Sequence, residues 1–363
     1  MRIGFFLRDL KIEGVQVVAL RLAKEFITLG HQCDFICLDA EKELEIGTDI
    51  NVHVLNIPKE IKYKKIIKYA PIFSKWLYKE DLKHRFDAIL CAHGDTINIV
   101  SVLDDPRFII QQHSCDKTSY ESKNYLKKIK YRLKLSKKVN KKHIICVSKG
   151  MAEFISSITN CYHSISTIYN PFDIQEIKKL AKQPLDTFFY DNEYICYIGR
   201  LAKEKRLELL INAYTLIDKN IKLFIVGDGC EEYKESLLNL IDKLKLSDRV
   251  FIFPFYDNPF PIINKAQALI LTSETEGFGN VLVEALICHT PIISVDCHSG
   301  PAEIMSGKLK HYLVKEATPK NIAHKINDLL LGDAEIDFEK TYPKYAATNI
   351  AKKYIKLFIN ISK

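Results

Sequence analysis

The stretch Glu276-Gly277-Phe278-Gly279-Asn280-Val281-Leu282-Val283-Glu284 sets two carboxylates around a two-glycine loop. It follows an apolar run from Ala266 to Leu271 that reads as a buried strand, and it leads into a helical pattern from Val281 to Cys288. Gly277 and Gly279 let the loop backbone come close to a ligand, and Asn280 is placed to cap the helix behind it. Unpaired N–H groups at such a helix start favour an anion by ~0.3–2 kcal/mol. Glu276 stands before that anion site and Glu284 about one turn into the helix, so both can face one pocket. This is the layout expected for gripping a phosphorylated sugar. The same spacing also arises by chance, as a solvated loop glutamate followed by a helix-start glutamate, so the remainder of the chain has to decide.

A second charged stretch is Tyr197-Ile198-Gly199-Arg200-Leu201-Ala202-Lys203-Glu204-Lys205. Arg200 offers a planar fork and Lys205 a compact charge, a combination suited to a diphosphate that must depart as an anion. Lys203 and Arg206 read better as solvated loop cations. Gly14 sits where a first strand meets a helix start, again a place that favours an anion. His113 ends the apolar run Phe108-Ile109-Ile110-Gln111-Gln112, and His93, His298 and Asp116 have weaker claims to chemistry. Leu223-Phe224-Ile225-Val226-Gly227-Asp228-Gly229 lacks the third glycine of a dinucleotide fingerprint, and no suitable acid ends the next strand, so it reads as packing.

These residues need elements to hold them. Apolar runs at Arg2 to Leu7, Cys33 to Leu38, Val52 to Ile57, Phe86 to Cys91, Phe108 to Gln112 and His143 to Val147 read as strands. Helical patterns separate them, among them Val15 to Leu29, which stops at Gly30, and a basic stretch from Ile61 to His84. After Tyr169-Asn170-Pro171 the rhythm restarts, with strands at Tyr194 to Ile198, Leu223 to Val226, Val250 to Phe253, Ala268 to Leu271 and Ile292 to Val295. Alternation of this kind predicts an α/β fold of two doubly wound parallel sheets facing across a cleft. The expected domains are residues 1–170 and 171–342, with a helix in 343–363 packing back on the first. Ligands in such sheets bind at the carboxyl ends of strands, so Arg8 to Gly14, Ala92 to Thr96 and His113 to Thr118 are the loops to watch.

Five stretches, in this order and at these distances, resemble the retaining family-4 glycosyltransferases of GT-B architecture. They are Glu13-Gly14-Val15, Val147-Ser148-Lys149-Gly150, Ile168-Tyr169-Asn170-Pro171, Tyr197 to Lys205 and Glu276 to Glu284. The likeness runs from Met1 to about Phe358, and Asp296-Cys297-His298-Ser299-Gly300-Pro301-Ala302-Glu303 looks like a stretch of bacterial lipopolysaccharide and surface-glycan hexosyltransferases. The resemblance implies two Rossmann-like domains, the first for the acceptor and the second for the nucleotide sugar. It implies that Arg200, Lys205, the Gly14 amide and the helix start at Val281 and Leu282 stabilise the departing diphosphate. Glu276 would hold hydroxyls of the transferred sugar, Glu284 the ribose, and His113 would touch the sugar. Gly199, Gly277, Phe278, Gly279 and Asn280 complete the donor loops, and Pro254 and Phe255 would hold the base through their backbone. The chain departs from the family at its first loop, where two glycines and a following acid are usual and Glu13, Gly14 and Gln16 stand instead. No metal and no cofactor are implied; the nucleotide diphosphate sugar, UDP-linked by expectation, is a co-substrate.

The 363 residues suffice for two domains, and 47% hydrophobic with 27% charged residues is the balance of a soluble globular protein. The first residues make too short an apolar run for a signal peptide and no later run reaches membrane-spanning length, so a cytoplasmic protein is expected. Ten cysteines are scattered without C-x-x-C pairs or zinc spacing and read as reduced, mostly buried thiols. The formal charge of +8 is concentrated. Lys123 to Lys142 holds ten Lys or Arg and no acid, interleaved with Tyr125, Leu126, Ile129, Leu133 and Leu135. Ile61 to Lys79 alternates Lys62, Lys64, Lys65, Lys68 and Lys75 with Ile66, Ile67, Phe73 and Trp76. Such segments suit an anionic membrane surface, at about 1 kcal/mol for each basic residue near it. Nucleic acid could be held by the same charge, but the expected partner is a lipid-linked or phosphorylated glycan acceptor, met on the inner face of the cytoplasmic membrane. A catalytically silent sugar-nucleotide or membrane-glycan binding subunit is the alternative, against which Arg200, Lys205, Glu276 and Glu284 together argue.

Overall fold

The structure, a computed structural model, describes residues 1–57, 67–217, 220–332 and 336–361. The chain divides into two compact units, Met1–Pro171 with Tyr345–Lys363, and Phe172–Lys344. The first is built on seven parallel strands: β1 (Arg2–Leu7), β2 (Gln32–Cys37), β3 (Ile50–Val54), β4 (Ala88–Cys91), β5 (Phe108–Gln112), β6 (His143–Cys146) and β7 (Ser164–Thr167). Their order in the sheet is β3-β2-β1-β4-β5-β6-β7. β1, β4 and β6 are buried along their whole length, which is why their sequences are near-continuous apolar runs. β7, Ser-Ile-Ser-Thr, is a half-buried edge strand whose polar residues give no apolar run, so the sequence pattern misses it.

The core of this unit centres on Phe5, Leu22, Phe26 and Phe35, and the chain's last helix, Ala347–Ile361, closes it. Tyr354 and Phe358 pack on Phe26 with ring centroids 6.2 and 6.0 Å away. Gln111 at the end of β5 donates to the Tyr354 hydroxyl at 2.7 Å, which fixes the helix to the sheet. Lys352, Lys353 and Lys356 stay on its exposed side.

The second unit has six parallel strands: β8 (Tyr194–Ile198), β9 (Lys222–Val226), β10 (Val250–Phe253), β11 (Ala268–Leu271), β12 (Ile292–Val295) and β13 (Leu313–Val314), ordered β10-β9-β8-β11-β12-β13. The last strand is two residues long and invisible to periodicity. In both sheets the chain leaves the first strand in one direction, then returns to its other side. The switch points lie between β1 and β4 in one unit and between β8 and β11 in the other. Loops leaving the carboxyl ends of these strand pairs border a crevice suited to a ligand.

Gly227 and Gly229 serve the packing that the sequence suggests. Gly227 has φ 144°, and a Cβ built on it would lie 2.1 Å from the Gly199 carbonyl oxygen; one on Gly229 would lie 2.0 Å from that of Leu201. Leu201 N–H donates to the Asp228 carbonyl at 2.8 Å, so the β9 loop buttresses the loop after β8 through backbone contact alone.

The two basic segments part company. Residues 61–66 lie outside the described residues, and the rest of that stretch gives a short 3-10 turn, Ile67–Tyr69, and a helix, Ala70–Lys83. Its Phe73 is not a membrane-facing residue: it stacks on Phe6 at 4.3 Å in the core, with Trp76 against it. The helix Tyr125–Val139 by contrast keeps Leu126 75% and Leu133 61% exposed, with Tyr125 and Ile129 on the same face. No helix among the described residues is long and apolar enough to cross a membrane.

Candidate functional site

At the β8/β11 switch point the chain brings Lys205 and Glu276 together. β8 ends at Ile198, Gly199 turns the chain, and a 3-10 turn, Lys203–Lys205, presents the lysine before Arg206 reverses it at φ 53°. β11 ends at Leu271 and the loop that follows carries the glutamate. Lys205 Nζ donates to Glu276 Oε1 at 2.6 Å, with the side chains only 18% and 13% exposed. Ser273 Oγ donates to the same Oε1 at 2.7 Å, and Ser299 Oγ donates to the Glu276 carbonyl at 2.6 Å. Thr272 Oγ1 donates to the carbonyls of Lys205, at 2.9 Å, and Arg206, at 3.2 Å, while Glu274 N–H donates to the Glu204 carbonyl at 2.8 Å. The Glu276 carboxylate is therefore held from both loops, and the backbone that carries Lys205 is tied to the loop after β11. A nearby thiol, Cys297, is pushed up to about 12 by burial, with Glu276 adding, and stays protonated.

Arg200 is exposed and ion-paired with Glu204 on its own turn; its carbonyl accepts from the Tyr197 hydroxyl at 2.9 Å. Burial, with Glu276 close by, pushes the Tyr197 phenol up, so it remains a donor. The helix behind the glycine loop is Asn280–Ile287, and here the expected cap is corrected. Gly279, not Asn280, is the N-cap, at φ 90° and ψ 56°, a left-handed conformation that suits glycine and turns the chain sharply into the helix. Phe278 and Leu282 are buried beneath the loop, and Gly277, Asn280 and Val281 are half-buried. Gly300 presses on the Phe278 carbonyl, where a Cβ would come within 2.0 Å. Glu284 is half-buried farther along the helix, where its charge adds to burial in raising the Cys288 thiol to about 12. Pro254 and Phe255 are exposed beyond β10, and the Phe255 N–H already donates to Asp228 Oδ2 at 3.1 Å, which narrows what that backbone can offer a base. His298 is exposed at φ 69°.

The β1/β4 switch point of the first unit is polar in a different way. Asp9, at the end of β1, is buried; burial pushes its carboxyl up, but hydrogen bonds from Arg8, Gln16 and the Lys11 N–H outweigh that and hold it at about 2. Gly14 opens the helix Gly14–Thr28 with no heavy atom within 4 Å of a Cβ built there, and its N-cap is Glu13, which pairs with Arg8 at 3.2 Å. His93 follows β4 and caps the helix Gly94–Val100. Its Nδ1 accepts from the Arg8 N–H at 3.3 Å, which puts the proton on Nε2. That Nε2 and the Nε2 of His113 are both buried without a hydrogen-bond partner. Burial, reinforced by Arg8, lowers His93 to about 4, and burial, reinforced by His93, lowers His113 to about 3. Both imidazoles are neutral, and both line a cavity of about 460 Å³ with Asp116, Tyr131, Lys134 and Lys138.

Of the residues the sequence singles out, the structure brings Lys205 and Glu276 together, sets Gly279 at the helix start and puts His113 on the cavity wall. The sequence reading does not single out Thr272, Ser273 and Ser299, whose hydroxyls brace that pair, or Tyr131, Lys134 and Lys138, which line the cavity and which a basic helix hides among its other cations. Among the described residues no group of His, Cys, Asp or Glu could hold a metal ion.

Two units, each a parallel sheet with a switch point, define the doubly wound α/β class, and comparison narrows it. Residues 12–176 match the family model Glycosyltransferase Family 4, and residues 183–348 match Glycosyl transferases group 1. The chain belongs to these glycosyltransferases, with the GT-B fold. It is 28% identical over 286 residues to lipopolysaccharide 1,6-galactosyltransferase of Escherichia coli, covering 75% of this chain and 72% of that protein. It is 30% identical over 213 residues to the N-acetylgalactosamine-N,N'-diacetylbacillosaminyl-diphospho-undecaprenol 4-alpha-N-acetylgalactosaminyltransferase of Campylobacter jejuni, covering 58% and 56%. The chain thus spans little more than half the length of some curated relatives it matches. The crystal structure of Anabaena Alr3699/HepE with UDP and glucose superposes with a TM-score of 0.70 at 19% identity, covering 100% of this chain and 97% of that one.

The two buried imidazoles make stability depend on pH. Unfolded, each takes up its proton near the ordinary 6.5; folded, only near 4 and 3. Between those values the unfolded chain binds more protons, so their contribution is intact above about pH 6.5 and is lost as pH falls, by up to about 1.4 kcal/mol per pH unit for each histidine. Urea unfolding followed from about pH 7 to about pH 5 should show a falling midpoint, shallower in His113→Gln. An unchanged midpoint would contradict neutral, buried imidazoles.

Proposed function

We propose that the chain transfers a hexose or N-acetylhexosamine from a nucleotide diphosphate sugar, UDP-linked in the first instance, to a lipid-linked or lipopolysaccharide-type glycan. Transfer proceeds with retention of anomeric configuration and needs neither metal ion nor cofactor. The observation that carries this reading is the Lys205–Glu276 pair fixed at the β8/β11 switch point in front of a glycine loop and a helix start. The relatives' names point to glycolipid and surface-glycan acceptors, and the Anabaena protein binds UDP and glucose.

In this mechanism the bond between the anomeric carbon and the diphosphate oxygen breaks, and negative charge grows on the diphosphate. Lys205 and Arg200 lie on the turn that would meet that charge, and the helix at Asn280–Ile287 adds its positive end. Glu276 uses Oε1 for Lys205 and Ser273, which leaves Oε2 to accept a hydroxyl of the departing sugar and so to orient it. The acceptor hydroxyl attacks from the face the diphosphate leaves, and its proton passes to a phosphate oxygen. Glu284 serves the ribose.

The helix Tyr125–Val139 supports a place at a membrane. Leu126, Ile129 and Leu133 recur at helical spacing on one exposed face, with Lys127, Lys128, Lys130, Arg132 and Lys137 around it and no acid on the helix. This is the pattern of a helix lying on an anionic interface.

With radiolabelled UDP-sugars and a lipid extract, label should enter the lipid fraction, unaffected by a metal chelator. Glu276→Ala and Lys205→Ala should each lower turnover by about 10²–10³. Stoichiometric binding without transfer or slow donor hydrolysis would mean a silent binding subunit. In a second assay the protein should sediment with phosphatidylglycerol vesicles and not with phosphatidylcholine ones. Leu126→Asp with Leu133→Asp should abolish that; equal sedimentation with both lipids would remove the membrane part of the proposal.

A further inference from the structure

The helix Tyr125–Val139 stands between two environments. Outward, Tyr125, Leu126, Ile129 and Leu133 are exposed; inward, Tyr131, Leu135 and Val139 form one wall of the cavity of about 460 Å³ that His93 and His113 also line. Of its 15 residues only Val139 is buried. Few ties hold this wall to the rest of the unit. The Tyr131 hydroxyl donates to Asp116 Oδ2 at 3.2 Å, and Ser136 Oγ donates to Thr159 Oγ1 at 2.8 Å. The Tyr120 and Tyr131 rings lie 5.2 Å apart, Lys138 has Asp116 and Asp95 near it, and Lys134 is engaged as well. Elements with so few buried apolar contacts are the ones that open locally at low cost.

Behind the wall, the Nε2 atoms of His93 and His113 are buried and meet no hydrogen-bond partner. A native fold rarely leaves such groups unmet, and a second arrangement in which a ligand meets them accounts for the cost. A lipid surface supplies the means of reaching that arrangement. Docked on the unit, the helix can offer an interface only its outer crest, Leu126, Ile129 and Leu133. Released, it can also sink the flanking Tyr131 and Leu135 into the boundary between headgroups and acyl chains, with its cations at the anionic surface. The interface therefore binds the released helix more tightly than the docked one, and that difference is what shifts the equilibrium.

We infer that this helix is a lid worked by the lipid surface: on an anionic membrane it withdraws from the cavity and opens His93 and His113 to hydroxyl groups of an acceptor, and away from the membrane it stays closed. The inference rests on the membrane part of the proposed function and adds regulation to it.

The test is footprinting of the full chain with diethyl pyrocarbonate, which modifies accessible neutral imidazoles, mapped by mass spectrometry. Without vesicles, or with phosphatidylcholine ones, His93 and His113 should react slowly. With phosphatidylglycerol vesicles each should react about tenfold faster, following a tenfold rise in the open population, while the exposed His298 and His324 are unchanged. Leu126→Asp with Leu133→Asp should show no rise. A disulfide made by Ser136→Cys with Thr159→Cys joins two positions whose hydroxyls touch in the closed arrangement; Cys161→Ser and Cys230→Ser remove the exposed thiols. The disulfide should abolish the rise while the protein still sediments with the vesicles, and dithiothreitol should restore it. Unchanged reactivity in protein that sediments, or a rise that survives the disulfide or the aspartates, would overturn the lid and leave membrane binding standing. Failure to sediment would overturn the lid and the membrane reading together, with donor binding by the second unit unaffected.

Discussion

A salt bridge with most of its surface removed from water is costly to make, and the Lys205–Glu276 pair constrains much of the second unit. Taking both charges out of solvent costs several kcal/mol per ion, and their attraction repays this only when further hydrogen bonds complete the site. Ser273 supplies one to the carboxylate, and Thr272 and Ser299 pin the backbone on either side. Those contacts work only if β8 and β11 are neighbours, which the strand order ensures, and if the loop after β9 can lie directly on Gly199, which Gly227 permits. Removing one partner of such a pair leaves an uncompensated charge, at about 3–5 kcal/mol, whereas an apolar replacement of both is often neutral. The net stabilisation from the pair is therefore small, in keeping with the proposed role of both charges in holding the donor.

The two units solve the same topological problem with opposite electrostatics. At the β8/β11 switch point the sequence places full charges on short, braced loops. At the β1/β4 switch point the full charges, Arg8, Asp9 and Glu13, satisfy one another, and what faces the neighbouring cavity is a pair of neutral imidazoles. Charged groups suit a diphosphate whose charge grows during reaction; neutral donors suit hydroxyl groups that must be oriented. The helix Tyr125–Val139 then adds cations to that cavity from outside the sheet.

Much of this was legible in the sequence because buried parallel strands write themselves as apolar runs. β1, β5, β8, β10, β11 and β12 have the bounds that periodicity predicts. β7 and β13 escaped, one because an edge strand needs few apolar residues, the other because two residues carry no period. Lys205 and Glu276 are 71 positions apart and could be joined only through the family pattern; nothing local in either stretch names the other. The cap of the Asn280–Ile287 helix was misassigned because an asparagine beside a glycine favours the asparagine on propensity, while the sharp turn out of the loop demanded a left-handed residue and took Gly279. Phe73 shows the opposite error: alternation with lysines resembled a surface stripe, yet the ring belongs to the core against Phe6.

The central claim is that the nucleotide sugar is held by the second unit through the loops after β8 and β11. Hydrogen–deuterium exchange of the full chain, with and without a UDP-sugar, addresses it directly. Slower exchange is predicted in peptides spanning residues 199–206 and 272–284. Protection confined to the first unit, or none at saturating ligand, would contradict the account.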